Sequence, residues 1–450
     1  MIALKRLPLL RYFSAGAWNS IPPRRILLAA AIPILIISFI LYLPVIPKGF
    51  NPGPGHDDQL TLQAVKPFGL TRGWIYFHPR FWPEHRSREW VYYRPIELLS
   101  FGTDYTLWQL RPPISRCVNI LLHCLNVLLF AALLFNLLAL SPSSRARALP
   151  VTAMAASLFC FLPISAEPVS WIAARGELLC AAFSLVCMLA LITWARTGKA
   201  RWAALSILAT LLALGTKETA IALPPLAAAA VLFLRQRPLR SRLALAALLI
   251  GCLAAYALFR HYTGTIVPSP HFTWNPHRGL RRFGYHISRP LTTVLEAIEL
   301  RSIRRLDIPG LAQTAAILIL LAQCPVAAAA SLAWKAAFHL PFFAVMTIEA
   351  RHLYVSHMGT TALIAISCLQ GYLFLRPSGT LPALSVYPER SRGGVEGSLP
   401  ALSLSNGSKG RHTPHLAPAP LIIWACILAL YIRQLSINIT VWAGMLLHKW

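Results

Sequence analysis

Long apolar segments separated by short basic loops constrain the fold of this chain more than any other feature. The first segment covers residues 26–46 and, at about 20 residues, is long enough to cross the hydrocarbon layer of a bilayer as a helix. Others follow at about 115–140, 151–164, 178–194, 202–215, 221–234 and 243–259. In lipid the backbone must satisfy its own hydrogen bonds, so such segments predict helices. We therefore expect an all-α protein that crosses the membrane repeatedly.

The composition agrees with a polytopic membrane protein. The mean hydropathy is +0.57, and 13% of the residues are charged, whereas about a quarter are charged in soluble globular proteins. Two or three further spans within residues 311–375 and a last span at about 421–432 bring the expected total to roughly eleven. No small-residue cleavage site follows the first segment, so we expect it to be retained as a helix.

The charges of the loops predict the orientation of the chain. Basic residues precede the first span, and basic clusters recur in alternate short loops at 145–147, 196–201 and 235–242. By the positive-inside rule these parts lie in the cytoplasm. We expect an integral protein of the plasma (inner) membrane with a cytoplasmic N-terminus.

The scattered charge and the cysteines exclude several classes of partner. The net charge of +27 is spread over the loops, which favours contacts with membrane lipids and phosphate groups and argues against nucleic acid. All nine cysteines fall in apolar segments and no C-x-x-C pair occurs. They are expected to pack inside the protein, with neither a disulfide framework nor a zinc site.

Three regions follow from this pattern. Residues 1–376 form the transmembrane region, with a first outer loop at about 47–113 and a second outer segment at about 260–309. Aromatic and arginine residues alternate in the first loop, which predicts interfacial helices lying in the headgroup layer. Residues 377–420 are rich in Ser, Gly and Pro and are expected to be a disordered cytoplasmic insertion. Residues 421–450 hold the last transmembrane helix and a short outer tail.

The few acidic residues point to a site on the outer face. The chain has 15 acidic and 42 basic residues, and the predicted orientation places every acidic residue except Glu389 and Glu396 outside or at an outer helix end. An ionisable group at bilayer depth costs about 2.5–3.5 kcal/mol on insertion scales, so those retained near helix ends are functional candidates or structural pairs. The adjacent carboxylates Asp57 and Asp58, just beyond the first span, are the strongest candidates.

Four ordered stretches carry recognisable motifs. The first runs from Tyr93-Arg94-Pro95 through Asp104-Tyr105 and Leu107-Trp108 to Asn119, His123 and Asn126. The others are the run from Pro163 and Glu167 through Trp171 and Arg175 to Glu177, the Lys217-Glu218-Thr219 stretch before Leu223-Pro224, and Arg351-His352-Leu353-Tyr354 with Ser356 and Gly359.

This order of motifs resembles the GT-C-type membrane glycosyltransferases, in particular the transmembrane O-mannosyltransferase-like branch that often carries tetratricopeptide repeats. The resemblance covers most of the chain up to about residue 375. Leu162 stands where the family commonly has His, Glu177 stands where Asp is usual, and a Gly- and Pro-rich lead replaces a compact aromatic one before Asp57. The insertion 377–420 is not a family feature, and the repeats do not follow.

The resemblance implies a GT-C-like helical bundle and a hexosyltransferase or mannosyltransferase-like activity. A sugar would move from a polyprenyl-phosphate carrier to a hydroxyl of a protein, lipid or glycan acceptor on the outer face, with inversion. Asp57 or Asp58 would act as the general base. Donor and phosphate binding would involve the charged and polar residues of the motifs, namely Arg94, Glu167, Arg175, Lys217, Glu218, Arg351, His352 and Tyr354.

Structural roles for the same residues stay open at the level of sequence. Asp57 and Asp58 would also serve as a solvated turn or a helix N-cap. Pairing within the structure is an alternative for the motif charges: Arg94 with Glu97 or Asp104, Glu167 with Arg175, and Lys217-Glu218 at a helix end. Asn119, His123 and Asn126 share one helix face, which favours hydrogen bonds between helices. Arg351, His352 and Tyr354 would then mark the outer end of a span.

Two other functions also stay open. A transporter or flippase for a polyprenyl-linked or anionic substrate would use the same basic residues, although two related halves, common in such proteins, are not evident. An inactive GT-C-like member is the second alternative. No cofactor is indicated with certainty, and the acid pair alone leaves open whether a divalent metal ion is bound.

Overall fold

The computed structural model describes residues 32–33, 36–50, 57–81, 92–140, 148–263, 325–344, 350–375, 429, 432–441 and 443, with side chains up to 367 in the range 350–375. Within these ranges the chain is helical and contains no strand. The predicted insertion 377–420 and the second outer segment beyond residue 263 lie outside the described residues. Most of the first and last predicted spans also lie outside them.

Ten helices are numbered here in chain order, and residues 432–441 are also helical. They are α1 (Asp57–Val65), α2 (Pro95–Trp108), α3 (Pro112–Leu138), α4 (Ala148–Cys160), α5 (Arg175–Thr197), α6 (Ala200–Leu214), α7 (Leu223–Phe233), α8 (Leu239–Tyr262), α9 (Pro325–His339) and α10 (Tyr354–Leu375). Short helical turns at Gly73–Phe77, Pro163–Ser165, Ala166–Ser170, Ile172–Ala174, Glu218–Ala222, Leu340–Ala344 and Ala350–Leu353 connect or extend them.

Apolar helices identify a membrane protein. Three are long and apolar enough to cross a bilayer: α3, the segment Ile172–Thr197 that contains α5, and α8. A fourth crossing results if α4 and Pro163–Ser170, which meet at an angle of 44°, form one bent span. The helices α6 and Glu218–Phe233 are apolar but shorter. These helices coincide with the predicted spans between residues 115 and 259, whereas the total of roughly eleven stays a prediction.

The bundle is held by close helix packing. Helix α5 packs against α3 and α6, α7 against α8, and α9 against α10. In lipid the hydrophobic effect does not drive helices together, so small residues and close contacts matter. Gly359 of α10 shows this, because a Cβ there would lie 2.3 Å from the carbonyl oxygen of Ser331 on α9. This glycine lets the two backbones approach.

The first loop has a small core of its own. Tyr76, Phe81 and Phe101 are almost fully buried and pack with Leu98 and Ile172. Ring centroids of Tyr76 and Phe81 lie 5.5 Å apart in an edge contact, a favourable arrangement for aromatic pairs. Part of the aromatic content therefore packs inside the loop, whereas Trp74 stays exposed. The interfacial position of the loop helices stays a prediction.

A tight connection joins α2 to α3. Gln109 and Leu110 both have positive φ, 57° and 53°, which is uncommon for residues other than glycine and costs free energy. Leu110 is completely buried, and its N–H donates to the carbonyl of Asp104. This turn brings the end of α2 against the start of α3, where Asp104 and Ser115 form part of the site described next.

Candidate functional site

A buried network fixes one end of the bundle. Arg175, at the start of α5, contacts Asp104 with 2.6 Å between Nη2 and Oδ2. Its Nε donates to Oδ1 of Asn119 at 2.8 Å, and its guanidinium lies 4.6 Å from the ring centroid of Phe101. Ser115 donates its hydroxyl to the same Asp104 carboxylate at 2.8 Å. Because Arg175 is only 1% exposed, this network ties α2, α3 and α5 together.

Arg94 binds a carboxylate from a distant part of the chain. Its Nη2 lies 2.6 Å from Oε2 of Glu218, and its Nε also donates to that carboxylate. Glu97 adds a longer contact of 3.5 Å. Burial alone would lower the pKa of Arg94, because it disfavours the charged guanidinium. The carboxylates of Glu218 and Glu97 outweigh this effect and raise the pKa of Arg94. Burial alone would raise the pKa of Glu218, because it disfavours the charged carboxylate. The charge of Arg94 outweighs this effect and holds the pKa of Glu218 below its usual range.

Lys217 adds a second ion pair beside the first. Its Nζ lies 2.6 Å from Oε1 of Glu177, whose side chain is fully buried. Gly176 precedes this glutamate, and a Cβ at Gly176 would lie 2.6 Å from Oε1 of Glu97. The absence of a side chain at Gly176 therefore makes room for the Glu97 carboxylate. The two ion pairs lie side by side where α2, α5 and the turn before α7 meet.

Glu167 and Arg351 form the third ion pair. Oε1 of Glu167 lies 2.5 Å from Nη1 of Arg351, and Oε2 accepts the backbone N–H of Arg351 at 3.0 Å. The guanidinium also lies 4.4 Å from the ring centroid of Trp171, a cation–π contact. The side chains of Arg351 and Glu167 are 20% and 12% exposed. A ligand reaches this pair more easily than it reaches the closed Arg175 network.

His352 lies between these charges. Its ring stacks on Phe342 with centroids 5.1 Å apart and 19° between the planes. Burial, together with the positive charges of Lys217, Arg351 and Arg94, lowers the pKa of His352 to about 2. The imidazole is therefore neutral, and three cations lie within electrostatic range of it. We refer below to an outer ion-pair cluster, named after the outer face that the loop charges predict for it and defined as Arg94, Glu97, Glu167, Glu177, Lys217, Glu218, Arg351 and His352.

The adjacent acids Asp57 and Asp58 occupy the first turn of α1. Asp58 is completely buried, and its Oδ1 accepts the backbone N–H of Ala173 at 2.8 Å. The carboxylate also lies within electrostatic range of Arg116, whose Nε donates to the carbonyl of Ser170. Asp57 is partly exposed. Asp58 thus packs against the same segment, residues 170–173, that presents Trp171 to Arg351.

Tyr354 occupies the interior of the bundle. Its hydroxyl lies 2.8 Å from Nδ1 of His123 and accepts a longer hydrogen bond from Asn126. Nδ2 of Asn126 also donates to the carbonyl of Leu178, and Asn119 donates to that of Trp171. The polar face of α3 therefore makes hydrogen bonds to neighbouring elements, as its spacing favoured. A role of Tyr354 in donor binding stays a prediction.

The structure brings together most of the predicted site residues and adds several. Seven of them share one end of the bundle with Asp57 and Asp58, namely Arg94, Glu167, Arg175, Lys217, Glu218, Arg351 and His352. Sequence reasoning did not assign site roles to Glu97 or Arg116. Arg116 carried a usable signal, because a charged residue in an apolar helix needs partners. Among the described residues, no group of three or more His, Cys, Asp or Glu side chains is placed to hold a metal ion.

Comparisons with known proteins add little to this geometry. No family model matches the chain, and none of the curated proteins matches it. Among solved structures, the chain is similar to the crystal structure of ArnT from Cupriavidus metallidurans bound to undecaprenyl phosphate, with 15% sequence identity and a TM-score of 0.41. The similarity covers 94% of this chain and 76% of that chain.

Proposed function

We propose that this protein is a GT-C-type glycosyltransferase that moves a hexosyl group, with mannosyl as the first candidate, from a polyprenyl-phosphate carrier to an acceptor hydroxyl at the outer membrane face. The observation that carries the proposal is that the four sequence motifs meet in space. The four motifs of the sequence are far apart along the chain, yet their charged residues meet at one end of an apolar bundle. A lipid-linked substrate needs this combination of a membrane scaffold and a charged end.

The cations of the cluster suit the phosphate of the carrier. When the bond between the anomeric carbon and the phosphate oxygen breaks, negative charge develops on the departing polyprenyl phosphate and needs positioned donors. Arg94 and Arg351 offer planar guanidinium groups for bidentate contact, and Lys217 offers a point charge. Their carboxylate partners hold these side chains in place before the substrate binds. Arg94 and Arg351 are 15% and 20% exposed, against 1% for Arg175, so we assign phosphate binding to the first two and positioning to Arg175.

Asp57 is the better candidate for the general base. In the proposed step the acceptor oxygen bonds to the anomeric carbon on the face opposite the phosphate, its proton goes to Asp57, and the phosphate leaves with the bonding electrons. Asp57 is partly exposed, whereas Asp58 is buried against Ala173. We therefore infer that Asp58 positions the start of α1 and that Asp57 faces the acceptor.

Transfer in proteoliposomes tests this assignment. Radiolabelled polyprenyl-phosphate mannose is supplied with a membrane extract as acceptor source, and release of the carrier and labelling of acceptors are measured. A general base raises the rate of such a step by a factor of about 10²–10⁴, so Asp57→Asn should lower the rate of transfer by that factor. The exposed Gln63 of the same helix supplies the control Gln63→Asn, which should leave transfer unchanged.

Three further results would separate the alternatives. Arg351→Gln should raise the KM for the donor, because it removes a contact to the carrier phosphate. Undiminished transfer by the double variant Asp57→Asn/Asp58→Asn would contradict the assignment of the base. Movement of the carrier across the vesicle membrane without sugar transfer would identify a flippase instead.

A further inference from the structure

An apolar cavity extends from the first turns of α10 to the end of the bundle opposite the outer ion-pair cluster. It has a volume of about 500 Å³ and lies between α3, α5, α7, α9 and α10, within the range of about 300–1,000 Å³ typical of ligand sites. Its lining includes Leu137 and Leu140 near the end of α3 and Phe233 and Leu234 at the end of α7. Phe233 is 81% exposed, so the cavity opens at this end, which we call its mouth. The cavity is therefore separate from the site proposed above for the sugar donor.

The lining of the cavity specifies a hydrocarbon ligand. Nearly all of its side chains are apolar, and the two polar ones are already occupied. The hydroxyl of Ser331 donates to the carbonyl of Ala327 at 2.8 Å, and the indole N–H of Trp334 donates to that of Val355 at 2.8 Å. A polar ligand would lose its hydrogen bonds to water here without replacement. An alkyl chain loses none.

The charges at the mouth specify the headgroup. Arg235 follows Leu234 directly, and Arg240 lies just beyond it at the start of α8. Both are exposed, and neither has an ion pair or a hydrogen bond from its side chain to the described residues. Arg237 and Arg242, in contrast, donate to backbone carbonyls of Ala195 and Leu232. The described acidic residues lie at the other end of the bundle, so the charge at the mouth is positive.

We propose that this cavity binds one acyl chain of an anionic phospholipid whose phosphate lies on Arg235 and Arg240. On the orientation predicted from the loops, the lipid belongs to the cytoplasmic leaflet, where anionic headgroups attract basic segments. The site is independent of the sugar donor, because the outer ion-pair cluster lies at the opposite end of the same helices.

Native mass spectrometry of the detergent-purified full chain tests the headgroup. The protein is titrated with phosphatidylglycerol and with phosphatidylcholine of the same acyl chains. The expected result is preferential retention of phosphatidylglycerol and at least about tenfold weaker retention in Arg235→Gln/Arg240→Gln. The control Arg72→Gln/Arg80→Gln removes the same charge from exposed residues of the first loop and should retain the lipid. Equal loss in both double variants would overturn the proposal, because it would indicate unspecific attraction.

A second pair of variants tests the cavity itself. Ala330 lines it, and Ala330→Phe should fill the space and displace the lipid. Ala247→Phe places the same side chain on an exposed position of α8 and should leave binding intact, with circular dichroism showing that both variants are folded. Retained binding in folded Ala330→Phe would overturn the proposal. Preference for polyprenyl phosphate over phosphatidylglycerol would also overturn the proposal. Retention of no lipid at all would do the same, because it would indicate that another part of this chain fills the cavity.

Discussion

At the scale of single residues, Arg175 and Arg351 differ in what their charge does. Both lie in motifs that predict phosphate binding, but Arg175 is enclosed by Asp104, Asn119 and Phe101. Arg351 keeps a fifth of its side chain exposed beside Trp171. Burial therefore separates a residue that positions the site from one that a substrate can reach. The sequence alone contains no information on this difference.

Replacing Arg175 should destabilise the protein more than it changes substrate binding. Arg175→Met leaves the Asp104 carboxylate buried without its charge partner, which costs about 3–5 kcal/mol. The unfolding midpoint in detergent should fall strongly, and Arg175→Met/Asp104→Leu should recover much of the loss. Arg201→Met, at an exposed position of α6, is the control and should be close to neutral. A midpoint of Arg175→Met equal to that control would contradict the structural role.

His352 should make stability depend on pH. The pKa of its folded form is lowered to about 2 by burial and by the charges of Lys217, Arg351 and Arg94, whereas an unfolded histidine titrates near about 6.5. Between these values the unfolded chain binds the extra proton. Stability should therefore fall as pH drops below about 6.5, by at most about 1.4 kcal/mol per pH unit for this group.

The measurement compares unfolding midpoints at pH 7 and pH 5. His352→Gln should lose less stability over this interval than the unmodified protein. The exposed His261 provides the control His261→Gln, which should follow the unmodified protein. An identical loss in all three proteins would show that His352 does not contribute.

At the scale of helices, the spans were predictable and the pairings between them were not. Apolar length predicts α3, α5 and α8 because lipid leaves the backbone no other partner. The pairing of Glu167 with Arg175, one of the alternatives that the sequence left open, is wrong. Trp171 is extended, with φ −88° and ψ 119°, so it interrupts the helix between them. Glu167 instead contacts Arg351, and Arg94 contacts Glu218, at separations of 184 and 124 residues. Local sequence cannot specify such pairs.

The contact between α9 and α10 predicts the effect of a single methyl group. A Cβ at Gly359 would meet the carbonyl oxygen of Ser331 at 2.3 Å and the backbone nitrogen of Lys335 at 3.1 Å. Gly359→Ala should therefore separate the helices and cost about 1–3 kcal/mol. A Cβ at Gly251 of α8 would meet nothing within 4 Å, so Gly251→Ala should be neutral or slightly stabilising. Thermal unfolding in detergent measures both, and equal midpoints would contradict the close contact.

At the scale of the whole molecule, the two ends of the helical bundle differ in charge. The described acidic residues gather with Arg94, Lys217 and Arg351 at one end of the bundle, and cations without acidic partners occupy the other. Loop charges alone predicted this division, because the positive-inside rule acts on each short loop separately. The contact of Asp58 with Ala173 required the fold. It depends on how the first loop packs, and no periodicity in the sequence reports that packing.

The two ends should therefore face opposite sides of the membrane. Gln63 on α1 and Gln236 between α7 and α8 are both exposed, and each can be replaced by cysteine. In intact cells, a membrane-impermeant maleimide should label Gln63→Cys and should reach Gln236→Cys only after permeabilisation. The unmodified protein gives the background from its native cysteines. Labelling of both variants from the same side would contradict the orientation, and labelling in the reverse order would place the outer ion-pair cluster in the cytoplasm, where an outer-face acceptor could not reach it.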